Sequence, residues 1–162
     1  MNITLQPITP ADRDAIGSIL TDEAVKKTYM LPDFSDETAV ESLFFRLVRL
    51  SQDPTRFVRA IWAESQLVGF LNDTEIHGST IELGWVIHPR YWGRGYATAG
   101  VRQAIGALFD AGFTKVTAGA FADNAASMRV MEKASMTRQE ATDMIPYRGQ
   151  NHLCIYYAIC KQ

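Results

Sequence analysis

The most informative stretch of this chain is IELGWVIHPRYWGRGYATAGVRQAIGALF, residues Ile81–Phe109. It begins with an apolar run typical of a buried strand, breaks at Pro89, and passes through a short loop that carries Gly93 and Gly95. After the loop, apolar residues recur three or four positions apart, as on one buried helix face: Ala97, Val101, Ala104, Ile105 and Leu108. The stretch therefore predicts a strand, a glycine loop and a helix, in that order.

A helix that follows a glycine loop is suited to holding a phosphate group. Its first N–H groups have no acceptor inside the helix, and its dipole adds about half a positive charge at that end. Gly93 and Gly95 let the backbone approach an anion closely, and Arg90 and Arg94 add positive charge. The same spacing also fits an ordinary strand-to-helix turn, so the pattern alone leaves both interpretations open.

Two common nucleotide-binding motifs are excluded. A Walker loop ends in Gly-Lys-Ser/Thr, whereas Gly95 is followed here by Tyr96 and Ala97. The dinucleotide fingerprint needs a third glycine at the position of Thr98.

What remains is Arg-x-x-Gly-x-Gly-Tyr-Ala after a strand that ends in His88-Pro89. This resembles the acyl-CoA pyrophosphate loop of the GNAT N-acetyltransferases. The segment FADNAASMRVMEKA, Phe121 to Ala134, is similar to the Asn-x-x-Ser and Val-Leu-Glu-Lys motifs of the branch that acetylates ribosomal-protein N-termini. Phe109 to Val116 resembles the linker of that branch between helix and strand.

The resemblance covers nearly the whole chain and implies an α/β (α+β) fold. It implies the GNAT acyl-CoA N-acyltransferase architecture, a mixed and mostly antiparallel central sheet of about seven strands flanked by helices. The sequence has no internal repeat, low-complexity tract or linker that indicates a second domain. We therefore expect residues 1–162 to form a single acetyltransferase domain.

The cofactor implied by the resemblance is acetyl-CoA, with coenzyme A as product. Its pantetheine arm would lie along the strand that precedes the loop, and its diphosphate would contact the loop. The residues implied in cofactor binding are Trp85, Val86, Ile87, His88, Arg90, Trp92, Gly93, Arg94, Gly95, Tyr96, Ala97, Asn124 and Ser127.

Acetyl transfer to an amine needs a base for the ammonium proton, a donor for the carbonyl oxygen and an acid for the leaving thiolate. Glu82 is the candidate base, although a solvated or salt-bridged strand glutamate fits the pattern as well. The backbone N–H of Val86 or Ile87 is the candidate oxyanion donor. Ser127 is the candidate contact to the thiol, and its alternative role is to help cap the helix that it begins.

Other polar residues near these motifs have a structural interpretation beside the functional one. His88 is a possible proton shuttle, but a histidine at a strand end is more often structural. Asn124 is a natural N-cap, a role compatible with a bond to the cofactor arm. Arg129 and Lys133 would reach phosphates or simply form a solvated helix face. The tyrosines and tryptophans are assigned to core or surface, except Trp92 within the loop.

The chain departs from the family pattern at three places. Ala99 stands where the branch usually has glutamate, and Ser135-Met136 stands where it has Gly-Phe. Met131 lies near the position at which many relatives carry a tyrosine that donates a proton.

The resemblance also implies which residues contact the acceptor, because relatives build the acceptor pocket from two loops. The substrate-binding candidates are Tyr29, Phe34 and Tyr147, accompanied by Asp33, Asp143 and Arg148. Acidic and aromatic side chains suit a cationic amine or a peptide N-terminus. The favoured acceptor is a peptide α-amine, with a small-molecule amine such as a polyamine or antibiotic as alternative. A module that binds acyl-CoA without turnover is the other alternative.

Composition limits the partners. A hydrophobic content of 47% and a charged content of 21% are those of a soluble globular protein, and the net charge of −2 does not favour nucleic acid or anionic membrane. Cys154 and Cys160 lie too far apart on one strand to bridge, and no residue spacing indicates a metal site. We expect a cytoplasmic monomer or homodimer without an export signal or membrane span.

The remaining elements follow from local patterns. Thr9 with Pro10 predicts the start of a first helix, and Ser35 is the predicted N-cap of a longer one. Gly112 is the predicted stop of the helix that follows the glycine loop. Closing strands are predicted at Met136–Ala141 and Leu153–Ile159, separated by a loop over 143–151 that is rich in Pro, Gly and Asn.

Overall fold

The computed structural model describes residues 2–34 and 36–162. Along this part of the chain, a first strand is followed by three α-helices, three strands, a helix, a strand, a helix and two closing strands. The strands are β1 Ile3–Gln6, β2 Val58–Ala63, β3 Gln66–His77, β4 Thr80–Ile87, β5 Lys115–Phe121, β6 Thr137–Tyr147 and β7 Gln150–Cys160. The α-helices are α1 Arg13–Leu20, α2 Glu23–Lys26, α3 Glu37–Gln52, α4 Tyr96–Asp110 and α5 Ala125–Lys133.

The strands form one seven-stranded sheet in the order β1-β2-β3-β4-β5-β7-β6. The pairs β1–β2, β2–β3, β5–β7 and β6–β7 are antiparallel, and β4–β5 is parallel. The fold is therefore the α/β arrangement with a mixed sheet that the sequence predicted.

The contacts divide the chain into two compact units. The first contains the described residues up to Asn72 together with Trp85–Gly100, and the second contains Asp73–Gly84 and Val101–Gln162. The core of the first unit is an apolar cluster that includes the fully buried Ile16, Phe44 and Phe70. These side chains come from α1, α3 and β3, and their helical or alternating spacing produces the buried faces.

In the second unit, side chains of β4 alternate between the two faces of the sheet, so that Ile81 and Leu83 lie in the interior and Glu82 is half-buried. The predicted apolar stripe of α4 is likewise buried at Val101, Ala104 and Leu108. A glycine ends this helix as predicted, because Gly112 adopts a φ of +108°.

Side-chain oxygens accept hydrogen bonds from backbone N–H groups at the starts of the N-terminal helices. The Thr9 N–H donates to Asp12 Oδ2 over 2.8 Å in a short 3-10 turn, Pro10–Asp12, that leads into α1. The Asp36 carboxylate caps α3 by accepting from the Ala39 N–H at 3.0 Å. Ser35, which we expected in this role, lies outside the described residues.

The prediction for the closing segment was wrong over 143–151. β6 continues through Tyr147, and β7 begins at Gln150, so the connection is a two-residue turn of Arg148 and Gly149. Both adopt positive φ, at 50° and 76°, which matches the twist of a tight hairpin. Pro146 is tolerated because β6 is the last strand of the sheet, where a missing N–H breaks no second ladder.

Candidate active site

The glycine loop follows β4 in the first unit. A 3-10 turn, Pro89–Tyr91, comes first, and then Gly93 and Gly95 adopt φ values of +75° and +80°. L side chains rarely adopt this conformation, so both positions favour glycine. The first helical bond across the loop runs from the Ala99 N–H to the Gly95 carbonyl at 3.1 Å. The preceding amides of α4 thus have no acceptor within the helix and are oriented as an anion site requires.

Side chains of the loop brace its shape. The Trp92 Nε1–H donates to the Ile87 carbonyl at 2.7 Å, although half of the Trp92 surface remains exposed. The His88 Nδ1 accepts from the Arg90 N–H at 3.1 Å. The Arg94 guanidinium lies over the Tyr91 ring, 5.7 Å from its centroid. His88 and Trp92 therefore have structural roles in the loop, whereas the Arg90 side chain is exposed.

The backbone N–H and C=O groups of β4 point alternately towards β3 and away from it. The His88 N–H donates to the Val68 carbonyl on β3 at 2.8 Å, and the Val86 carbonyl packs against Gly69 of the same strand. Backbone groups of an antiparallel strand alternate in direction, so residues 86 and 88 face β3. The backbone groups of Trp85 and Ile87 face away from β3. Of the two candidate oxyanion donors, the geometry therefore favours Ile87 over Val86.

The parallel ladder between β4 and β5 is short. Its register runs from Thr80 opposite Lys115 to Glu82 opposite Thr117. β5 continues to Phe121, so its second half lies beyond the last residue pair of this ladder.

The Glu82 carboxylate lies in the second unit at this last pair. It accepts a hydrogen bond from the Thr74 hydroxyl, Oγ1 to Oε2, at 2.7 Å. The side chain is half-buried, and its orientation is fixed by Thr74. Sequence reasoning did not identify Thr74, whose position on the adjacent strand becomes apparent only from the register.

Asn124 and Ser127 contact each other at the start of α5. The Asn124 Oδ1 accepts from the Ser127 N–H at 3.2 Å, and its Nδ2 donates to Ser127 Oγ at 3.0 Å. Asn124 is thus the N-cap that the sequence predicted. Because the serine oxygen accepts this bond, its hydroxyl hydrogen can be donated to another group.

The later residues of α5 include two exposed cations and one buried methionine. Arg129 and Lys133 are both exposed, and Arg102 Nη2 donates to the Lys133 carbonyl at 2.6 Å. Met131 is completely buried, so this side chain faces the interior. Ser135 ends the helix with a φ of +67°, a conformation for which the glycine usual in the family is better suited.

The three residues predicted to bind the acceptor lie in different parts of the chain's structure. Tyr29 donates its hydroxyl to Asn72 Oδ1 at 2.7 Å and packs edge-on against Phe70, and burial raises its pKa. Phe34 packs against the core of the first unit. Tyr147 lies in the second unit, and its carbonyl oxygen is 3.1 Å from the Nε2 of His152. Tyr29 and Phe34 thus belong to one compact unit and Tyr147 to the other.

The profile of the Acetyltransferase (GNAT) domain family matches residues 2–137. The chain belongs to the GNAT family. GNAT proteins are acetyl-CoA-dependent transferases, and the glycine loop between β4 and α4 is a feature of this GNAT domain.

Solved structures share the GNAT fold over almost their full length. A GNAT-family acetyltransferase from Bacillus anthracis is 23% identical, with 99% of this chain and 95% of that chain covered and a TM-score of 0.82. The RimL ribosomal L7/L12 α-N-protein acetyltransferase in complex with coenzyme A is 15% identical, with coverage of 99% and 94% and a TM-score of 0.85. Spermidine N-acetyltransferase from Vibrio cholerae, in complex with CoA and spermine, is 15% identical, with coverage of 98% and 95% and a TM-score of 0.83.

Two further observations bear on this GNAT chain. Cys154 is buried and Cys160 exposed, and both are free thiols. Among the helices of the described residues, none combines the length and apolar character needed to cross a bilayer.

Proposed function

We propose that this GNAT protein transfers the acetyl group of acetyl-CoA to a primary amine by direct attack in a ternary complex. We further propose a protein or peptide N-terminal α-amine as acceptor. The observation that carries the proposal is the loop of Gly93 and Gly95, both at positive φ, which opens onto the first amides of α4.

The loop amides from Gly93 to Ala97 would hold the cofactor diphosphate, with Arg90 and Arg94 adding positive charge. Trp85 and Ile87 present backbone groups away from β3, where a pantetheine arm can pair with them as an added strand does. Asn124, fixed as the cap of α5, would contact the same arm. Acetyl-CoA supplies the acetyl group and the thiol that leaves.

The transfer itself requires three actions from the chain. The Ile87 N–H donates to the thioester oxygen and stabilises the charge that develops there. Glu82 accepts a proton from the attacking amine as the C–N bond forms. The Ser127 hydroxyl protonates the sulfur as the C–S bond breaks, and solvent restores the Ser127 proton.

Sequence similarity favours the peptide acceptor. The segments Phe109–Val116 and Phe121–Ala134 are similar to the branch that acetylates ribosomal-protein N-termini, and RimL is among the structural neighbours. A small-molecule amine is the second candidate, because a spermidine N-acetyltransferase has the same fold. A module without turnover is the third, since Met131 and Ala99 replace residues common in active relatives.

Release of free thiol from acetyl-CoA distinguishes these candidates. The acceptors are hexapeptides with free N-terminal Ser or Ala, the same peptides with blocked N-termini, spermidine and an aminoglycoside. The proposal expects thiol release with free peptides and none above background with blocked ones. Turnover confined to spermidine or the aminoglycoside would replace the peptide acceptor with a small amine. Calorimetric binding of acetyl-CoA without turnover would favour the non-catalytic module.

A further inference from the structure

A tyrosine of the second unit, Tyr156 on β7, lies flat across the neighbouring strand β5. It pairs in register with Gly119, and a Cβ at position 119 would come within 2.8 Å of Tyr156 Cε1 and 3.1 Å of Cys154 Sγ. Real Cβ atoms essentially never show a contact of 2.8 Å, and one of 3.1 Å is tighter than nine in ten of their contacts. Glycine at position 119 is therefore required for the ring to occupy this place.

The hydroxyl of this tyrosine is held by a carboxylate. Tyr156 donates to Asp143 Oδ2 over 2.9 Å, and Asp143 pairs with Cys154 across the β6–β7 ladder. Burial, this hydrogen bond and a further one to Cys154 raise the pKa of Tyr156 above its ordinary value of 10.0, at which the phenol is already protonated at neutral pH. Since its proton points to Asp143, its oxygen presents lone pairs to an incoming N–H group.

Tyr156 shares its sheet face with the candidate base. Glu82 pairs with Thr117, which lies two residues before Gly119 on β5, and residues two apart on a strand point to one face. Burial raises the pKa of the Cys154 thiol, and the Glu82 and Asp143 charges add to this rise against the effect of its bond to Tyr156. Tyr157, the next residue, points to the other face and donates to Glu132 of α5 at 2.9 Å.

From this arrangement we infer that Tyr156 is a specificity-determining residue for the acceptor. Its oxygen accepts a hydrogen bond from the acceptor amine and Asp143 orients the hydroxyl, while Glu82 supplies negative charge that matches a cationic primary amine. The inference rests on the proposed acetyl transfer and adds a residue that selects the acceptor. Asp143 acts through Tyr156 and is a positioning residue.

The test compares Tyr156→Phe with Tyr157→Phe, the same chemical change one residue away on the opposite face. The probes are a Ser-initiated hexapeptide and spermidine. Tyr156→Phe is expected to raise the acceptor KM about tenfold, as loss of a hydrogen bond to a charged group does. Its KM for acetyl-CoA stays within about twofold of the wild type. Tyr157→Phe leaves both constants unchanged. Equal effects of the two variants, or an unchanged acceptor KM in Tyr156→Phe, would overturn the inference.

Asp143→Ala provides the second variant. It should raise the acceptor KM in the wild-type background and have little further effect in Tyr156→Phe, because residues that act through one contact are not additive. Independent effects in the double variant would contradict the positioning role.

Calorimetry of each probe with the CoA-loaded protein separates this inference from the proposed function. Probe binding that Tyr156→Phe weakens, without any thiol release, would refute acetyl transfer and retain Tyr156 as an amine contact. A wild-type protein that neither binds nor acetylates either probe overturns the inference.

Discussion

Gly69 on β3 and Val86 on β4 approach each other so closely that a side chain at position 69 would collide with the Val86 carbonyl oxygen. A Cβ at this position would also lie 3.0 Å from the Ile87 Cα. Both neighbours are backbone atoms, which cannot move aside as the end of a flexible side chain can. The place of the β4 backbone just before the glycine loop therefore depends on the absence of a side chain at position 69.

The first prediction concerns this contact. Gly69→Ala should destabilise the protein by on the order of 2 kcal/mol, because the two strands must move apart. It should also weaken CoA binding, since the Ile87 peptide is displaced. Urea unfolding and calorimetry with CoA measure the two effects. Gly17→Ala, in the interior of α1 with nothing within 4 Å of its new Cβ, is the control and should stabilise by up to about 1 kcal/mol. Equal stabilities of the two variants would contradict the close approach.

The second prediction concerns the glycine loop. Gly95→Val places a β-branched residue at a φ of +80° and should raise the Kd for CoA at least about tenfold. Gly112→Val, at a φ of +108° in the turn after α4, has a similar backbone cost away from the loop. It should lower the melting temperature and leave the CoA affinity unchanged. Normal CoA binding by Gly95→Val would refute the loop as the diphosphate site.

The third prediction tests the base. Glu82→Gln should lower kcat at neutral pH by about 100-fold, the low end of general-base contributions, with the Kd for CoA within about twofold of the wild type. Glutamine preserves the bond from the Thr74 hydroxyl, so the fold should be retained. Glu132→Gln, on α5, is the matched substitution and should leave kcat unchanged. An identical rate and pH profile in Glu82→Gln would remove this carboxylate from the mechanism.

The fourth prediction concerns stability at alkaline pH. Burial raises the pKa of the Tyr29 hydroxyl above its ordinary value of 10.0, against the effect of its bond to Asn72. The folded state therefore retains a proton that the unfolded chain loses above pH 10, and stability should fall as the pH rises from there. Tyr29→Phe should cost about 1 kcal/mol at pH 7 through the lost hydrogen bond. It should also flatten this alkaline decline.

Chemical unfolding between pH 7 and 11 measures both effects of Tyr29→Phe. Tyr91→Phe, which removes a hydroxyl bond of 3.0 Å to Gln66, controls for the loss of a tyrosine hydrogen bond. A parallel pH dependence of the Tyr29→Phe and wild-type proteins would show that Tyr29 is not the group responsible.

Local chemistry made much of the fold predictable from sequence. The helix stop at Gly112 and the cap at Asn124 each depend on one residue and its immediate neighbours, and both are observed. The same local reasoning failed at 143–151, because Pro and Gly predict a loop unless the strand is known to lie at an edge. Residues 143–147 form a strand because they pair with β7, and local sequence patterns do not reveal this pairing.

The site was less predictable for the same reason. The glycine loop could be inferred because its residues are contiguous. Thr74, Gly119 and Tyr156 each depend on which strand lies beside which, and they look ordinary in the sequence. The preference for Ile87 over Val86 likewise required the direction of the His88 amide towards β3.

The edge position of β6 has a consequence for solubility. An exposed strand of 11 residues is a template on which further chains can add by backbone pairing. Here an irregularity in register between Arg138 and Thr142 interrupts the strand, and Pro146 removes a donor near its end. Both features oppose the pairing of a further strand with this edge of the sheet.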